Sequence, residues 1–144
     1  MADFEKTLKT SWNGSALGSG TIETYGFTTE VAIPHELGGS GLGAGPMDLL
    51  VGSATACFVM TLVAMLEGRK IPVDELTVET QASNLKDSGL SIAHQVNLKL
   101  SASGTDAQLQ TAHGLFAKAD TTCYVGNMLR KAGARIEASG TVAM

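Results

Sequence analysis

From residue 27 to 33 the side chains alternate: Phe27, Thr29, Val31 and Ile33 share one face, and Thr28, Glu30 and Ala32 share the other. That is the period of a strand. Two extended runs precede it, residues 7–12 and 16–24. Asn13-Gly14 between them is a two-residue hairpin signal, and Tyr25-Gly26 separates the second run from the third. The first third is therefore a strand meander. Residues 34–45 follow as a loop with five glycines, a kind of segment that often carries function.

Pro46 opens a long helix, with Asp48 in its first turn, where an acid meets the positive end of the helix dipole. Gly68 is the expected stop, with Pro72 just beyond. Two more strands follow. Leu76, Val78, Thr80 and Ala82 form one apolar face, and Ile92, His94, Val96, Leu98 and Leu100 form the other. Lys86-Asp87-Ser88-Gly89 is the turn between them. Thr105 and Gln108 have capping-box spacing and start a second helix, with Leu109, Ala112, Phe116 and Ala119 on one face. A break near residues 120–122 leads to a short helix over 123–132, ended by Gly133, and residues 134–138 begin a last strand. The predicted order is β-β-β-α-β-β-α-α-β, an α+β layout. The long helix is apolar all round, more than one small sheet can cover, and a second subunit is the simplest cover.

Composition narrows the class. The 144 residues suit one domain, residues 1–144, and 44% hydrophobic against 17% charged is a globular balance. Net charge is −4, aromatics are 5%, and no dense basic stretch exists, which excludes a nucleic-acid partner. Residues 49–66 run without a charge, close to the length of a membrane span. Gly52, Ser53, Thr55, Cys57 and Thr61 dilute that segment, so a helix buried in protein is expected instead of a membrane partner. No leader layout is visible at the N-terminus, and two cysteines make no disulfide scaffold. A cytoplasmic, reducing location is expected.

The candidate chemistry is in the thiols. Cys57, near the middle of the long helix, reads either as a small buried hydrophobe or as a reactive group. Its helical neighbours Ser53, Ala54, Met60 and Thr61 leave room for a ligand or for close packing. Cys123 follows Thr121-Thr122, either of which can cap the short helix. A thiol in that first turn meets unpaired N–H groups, which lower its pKa. Neither belongs to a CxxC motif, and no His pair has metal-ligand spacing. His94 reads as a satisfied core histidine. His35, in the glycine-rich loop, is the histidine with a candidate supporting role. The loop matches neither a dinucleotide fingerprint nor a P-loop.

Gly45-Pro46-Met47-Asp48-Leu49-Leu50, with Cys57 eleven residues after the proline in Ala56-Cys57-Phe58, resembles the first cysteine motif of the OsmC/Ohr family (osmotically inducible protein C and organic hydroperoxide resistance protein). Cys123-Tyr124-Val125-Gly126-Asn127 is similar to the second. Trp12-Asn13-Gly14, Gly20-Thr21 and Glu36-Leu37-Gly38-Gly39 fit as well, so the resemblance spans nearly the whole chain. It implies an intertwined α+β homodimer with central long helices and active sites between subunits. It further implies a thiol-dependent peroxidase without cofactor or metal. In that chemistry Cys57 attacks an organic hydroperoxide, Cys123 resolves the resulting sulfenic acid, and an external thiol or dithiol reductant restores both. The alternative is a non-enzymatic dimer of the same fold that binds a small lipophilic ligand or senses redox state slowly.

Three departures from the family pattern bear on mechanism. The family's arginine in the N-terminal strand region has no counterpart in Ser15-Ala16-Leu17-Gly18-Ser19. The glutamate after the motif proline is Met47, with Asp48 one position later, and the residue after the second cysteine, often Pro, is Tyr124. With no cation beside Cys57, its pKa is expected near the free value of ~8.5 or above, and peroxidase activity is expected to be weak. Arg130 and His35 are the candidate supporting groups that could supply the missing charge, and Asp48, too far along the helix to touch Cys57 of its own chain, is the candidate supporting acid.

Overall fold

Asn13 and Ser19 face each other across the first hairpin, so five residues, 14–18, form its loop. The computed structural model describes residues 3–144. Met1 and Ala2, the start of the stretch read for a leader, lie outside it. The described residues fall into two compact units that meet in sequence at Leu50 and Val51.

In the first unit β1 (Lys9–Asn13), β2 (Ser19–Thr24) and β3 (Phe27–Val31) form an antiparallel meander in the order β1-β2-β3. The expected two-residue turn at Asn13-Gly14 is corrected. Gly14 does take a positive φ of 88°, but the chain continues through a second turn closed by Gly18 N–H on the Ser15 carbonyl. Trp12 reinforces the longer loop, its indole N–H donating to Ser15 O at 3.0 Å. Strand β2 consequently starts at Ser19, not at 16. Tyr25-Gly26 is the tight turn expected, with Thr24 paired to Phe27. The glycine-rich loop contains a single 3-10 turn, His35–Leu37, and returns to bridge Val31 with Ala44.

Helix α1 (Pro46–Gly68) keeps the predicted bounds. Its N-terminus is a half capping box: the Asp48 carboxylate accepts the Gly45 N–H at 2.9 Å. At the other end Gly68 is the last helical residue, and the left-handed position falls on Lys70, at φ 55°. Ile71 N–H bonds Leu66 O and Lys70 N–H bonds Glu67 O, a Schellman motif with Ile71 and Leu66 both in the core.

The second unit holds β4 (Val73–Leu85), β5 (Gly89–Leu100), α2 (Asp106–Thr122), α3 (Tyr124–Lys131) and β6 (Arg135–Ala143). The sheet order is β4-β5-β6, with β4 and β5 antiparallel and β6 parallel to β5. A parallel pair needs a crossover, and α2 and α3 supply it. The alternation read along β5 is the observed one: Ile92, His94, Val96, Leu98 and Leu100 are all buried. Val96, Leu98 and Leu100 meet Phe58, Leu62 and Leu66 of α1 and Ala112, Leu115, Phe116 and Ala119 of α2 in one core. Thr105 and Gln108 make the predicted capping box in full. The observed order is the predicted one, with the 3-10 turn added.

Helix α1 buries only one stripe, Ala54, Phe58, Leu62 and Leu66. Met60, at 70% exposure, and Val63, at 44%, lie on an uncovered apolar side. Among the described residues it is the one helix long and apolar enough to cross a membrane.

Candidate active site at the amino end of helix α3

The joint between α2 and α3 is one residue, Cys123. It is the C-cap of one helix and the N-cap of the next, at φ −62° and ψ 117°. This corrects the expectation that Thr121 or Thr122 caps α3 from outside with Cys123 already in its first turn. Both threonines belong to the end of α2, where their hydroxyls donate back to Lys118 O at 3.2 and 2.7 Å. The Cys123 sulfur itself is the cap, accepting the Gly126 N–H at 3.4 Å. Gly126 suits this spot because a Cβ there would stand 3.3 Å from that sulfur.

Cys57, half-buried on α1, comes within hydrogen-bonding reach of the Cys123 thiol, and both are free. Their acidities diverge. Burial pushes the Cys57 thiol up, but the Val125 N–H, the Cys123 thiol, the Tyr124 N–H and the Thr61 hydroxyl together outweigh it and bring the pKa below the ordinary value of 9.0. For Cys123 burial again comes first and raises the pKa. The Gly126 N–H opposes this, while the Cys57 sulfur and, least, the Asp120 charge add to it, and the pKa is pushed up to about 11. At neutral pH the pair is therefore Cys57 as the more acidic thiol and Cys123 as a retained S–H donor.

This reverses one expectation. The helix end that was to activate Cys123 serves Cys57 instead. Cys57 is acidified without a cation, by the first backbone N–H groups of α3, which have no intrahelical partner and carry the positive end of the dipole. A fold juxtaposition of two helices is needed to bring those groups to a thiol 67 and 68 residues earlier, and no local pattern encodes it.

Arg130 does not serve as the thiolate's cation. Its Nη2 pairs with Asp120 Oδ1 at 2.7 Å and donates to Ile136 O at 2.9 Å, while Nη1 donates to Asp120 O and Asn127 Oδ1 at 3.1 and 2.9 Å. Asp48 and His35 belong to the first unit: Asp48 is taken up by the cap on Gly45, and His35 is exposed in the 3-10 turn.

His94 is the satisfied core histidine expected. It stacks on Phe58 with centroids 4.6 Å apart, and its Nδ1 meets the Thr80 hydroxyl at 2.9 Å, which in turn meets Thr55 on α1. Burial holds its pKa below the usual value, with Asp120 opposing and Arg130 assisting. Two residues missed by sequence reasoning are Asp120, buried beside Cys123, and Thr61, whose hydroxyl bonds the Cys57 carbonyl at 2.7 Å. Threonine one turn after a cysteine was a visible signal for the second. Among the described residues, no three His, Cys, Asp or Glu side chains converge as metal ligands. A cleft of about 770 Å³ opens away from the thiols along the strand ends of β4, β5 and β6, beside Ile92, Ile136, Arg135 and Glu137.

The family model for OsmC-like proteins matches residues 38–139. The chain belongs to the OsmC/Ohr family. The uncharacterised protein YmaD of Bacillus subtilis (strain 168) is 30% identical to it over 134 residues, 90% of this chain and 89% of that one. An OsmC-like protein from Mycoplasma pneumoniae superposes with a TM-score of 0.74 at 16% identity, covering 99% of this chain and 100% of the other. An organic hydroperoxide resistance protein from Elizabethkingia anophelis superposes with a TM-score of 0.63 at 24% identity, covering 99% of both chains. These likenesses establish the OsmC-like fold, and several neighbours are named for organic hydroperoxide resistance.

Proposed function

We propose that this OsmC-family protein is a thiol peroxidase that reduces organic hydroperoxides, acts as a homodimer in the cytoplasm, and uses an external thiol or dithiol reductant without a bound cofactor. The observation that carries the reading is the meeting of Cys57 and Cys123 at the amino end of α3, with their acidities driven apart. A nucleophile must be thiolate and its resolving partner must be close, and this arrangement favours both.

In the first step the Cys57 thiolate attacks the distal oxygen of ROOH. An S–O bond forms, the O–O bond breaks, and the alkoxide leaves and takes a proton to become ROH. Cys57 is oxidised to sulfenic acid. In the second step the Cys123 sulfur attacks the Cys57 sulfur. The S–S bond forms, the S–O bond breaks, and the departing hydroxide takes the Cys123 proton and leaves as water. A dithiol then reduces the disulfide and restores both thiols. Cys57 packs against the apolar core cluster that includes Phe58, and an apolar setting favours an organic peroxide over hydrogen peroxide.

The homodimer reading rests on the uncovered apolar side of α1, with Met60 and Val63 exposed. The decisive experiment is stopped-flow reduction of cumene hydroperoxide with a dithiol reductant, on wild type and on Cys57→Ser. Turnover by wild type alone is expected. A wild type as inert as Cys57→Ser would leave the non-enzymatic ligand-binding dimer as the better reading.

A further inference from the structure

The carbonyl of Asp120 accepts two donors: the Cys123 N–H at 3.2 Å and Arg130 Nη1 at 3.1 Å. The same guanidinium pairs with the Asp120 carboxylate at 2.7 Å, bonds Asn127 Oδ1 within α3, and bonds Ile136 O at the start of β6. Asn127 completes the ring by donating Nδ2 to Thr121 O at 2.9 Å. One side chain thus ties the last turn of α2, the body of α3 and the first residues of β6 together, around the residue that carries the second thiol. The ion pair is largely buried, with the Asp120 side chain 9% exposed, so its hydrogen bonds are charge-assisted and poorly screened.

A structural tie of this kind has more reach here than elsewhere in the fold. Helix α3 is only eight residues long, and its orientation decides where its first N–H groups point. Few contacts other than these hold it: Gly126 is its one buried residue. Arg130 is not in contact with either thiol through any of its hydrogen bonds, so whatever it contributes passes through the position of α3.

We propose that Arg130, with Asp120 and Asn127, is a positioning clamp that aims the amino end of α3 at Cys57 and holds the Cys123 sulfur where it can close a disulfide. This rests on the reading of Cys57 and Cys123 as the reacting pair. Loosening the clamp lets α3 turn about Cys123, so the N–H groups of Tyr124 and Val125 leave Cys57 and the two sulfurs meet less often.

The test uses Arg130→Gln and Asn127→Ala in the full chain, with two readouts that need no peroxide. The first is the pH dependence of Cys57 alkylation by iodoacetamide in the reduced protein, resolved by peptide mass. The second is the equilibrium between the Cys57–Cys123 disulfide and dithiothreitol. Arg130→Gln is expected to shift the Cys57 titration upward and to weaken the disulfide about tenfold or more, as misorientation of reacting groups does. Asn127→Ala is expected to move both in the same direction by less. A folded Arg130→Gln with both readouts unchanged overturns the clamp. Should Arg130→Gln fail to fold, Asn127→Ala decides alone, because a merely stabilising contact lowers the melting temperature and leaves the Cys57 titration where it was. A protein inert toward hydroperoxides would still give both readouts, so the clamp and the peroxidase reading fail separately.

Discussion

The Cys123 sulfur accepts the N–H of Gly126 and lies within reach of Cys57, and their interaction lowers the pKa of Cys57 while raising that of Cys123. The two sulfurs differ in which influence wins: at Cys57 the donors outweigh burial, whereas at Cys123 burial prevails.

Alkylation should therefore separate the two. Iodoacetamide is expected to label Cys57 in a titration lying below the ordinary thiol value of 9.0, while Cys123 resists until the pH approaches about 11. Peptide mass mapping across a pH series checks this. Labelling of both thiols on one curve would count against the assigned polarity.

Cys123→Ser should stop the reaction half-way. One equivalent of cumene hydroperoxide is expected to oxidise Cys57 to a sulfenic acid that persists and is trapped by dimedone, whereas wild type gives an intramolecular disulfide and little adduct. A persistent adduct in wild type would remove the resolving role of Cys123.

Acid should weaken the fold through His94. Its folded pKa lies below 6.5, so the unfolded chain takes up the proton first. The stability it contributes is complete above 6.5 and lost as pH falls through the folded value. The urea midpoint of wild type is expected to drop on the acid side of 6.5, and His94→Gln, already less stable, is expected to lose this part of the pH dependence.

Lys70 occupies a left-handed position that costs a residue with a Cβ about 1 kcal/mol. Lys70→Gly is expected to stabilise the protein by roughly 0.5–1 kcal/mol in urea titration, with peroxide chemistry unchanged. The contrast is Gly133, which fills the equivalent position after α3 at φ 103°.

The difference between those two helix ends shows what was legible. Gly133 and the Thr105–Gln108 box are local signals, and the structure follows them. Along β5 every inward residue could be read because one buried face forces a period of two. Gly68 does end α1 as read, and Schellman geometry, with Ile71 and Leu66 both in the core, places the left-handed residue two positions on at Lys70. The hairpin loop was read too short because Asn13-Gly14 looks complete without the Ser15 carbonyl that Trp12 and Gly18 share. At the site the two cysteines were legible by type and position. Their relative acidity was not, since it depends on which thiol faces the end of α3, and the charge-supplying role read for Arg130 fails because its partner Asp120 lies ten residues back in a different helix.

Tyr124→Pro isolates one donor. Cys123, at φ −62° and ψ 117°, already has the backbone that precedes proline, and proline suits the first helical position. The substitution deletes the Tyr124 N–H and leaves both thiols in place. The Cys57 titration is expected to move upward, checked by alkylation across pH. An unmoved titration in a folded variant would show that the Val125 N–H and the two side-chain donors suffice.

Because two of the groups that acidify Cys57 are peptide N–H groups, substitution of the side chains at 124 and 125 by anything except proline leaves those donors in place. Those positions are free to drift in composition while the chemistry persists. Selection on this activity would act on the bend at residue 123, a property of backbone angles that side-chain identity records only indirectly.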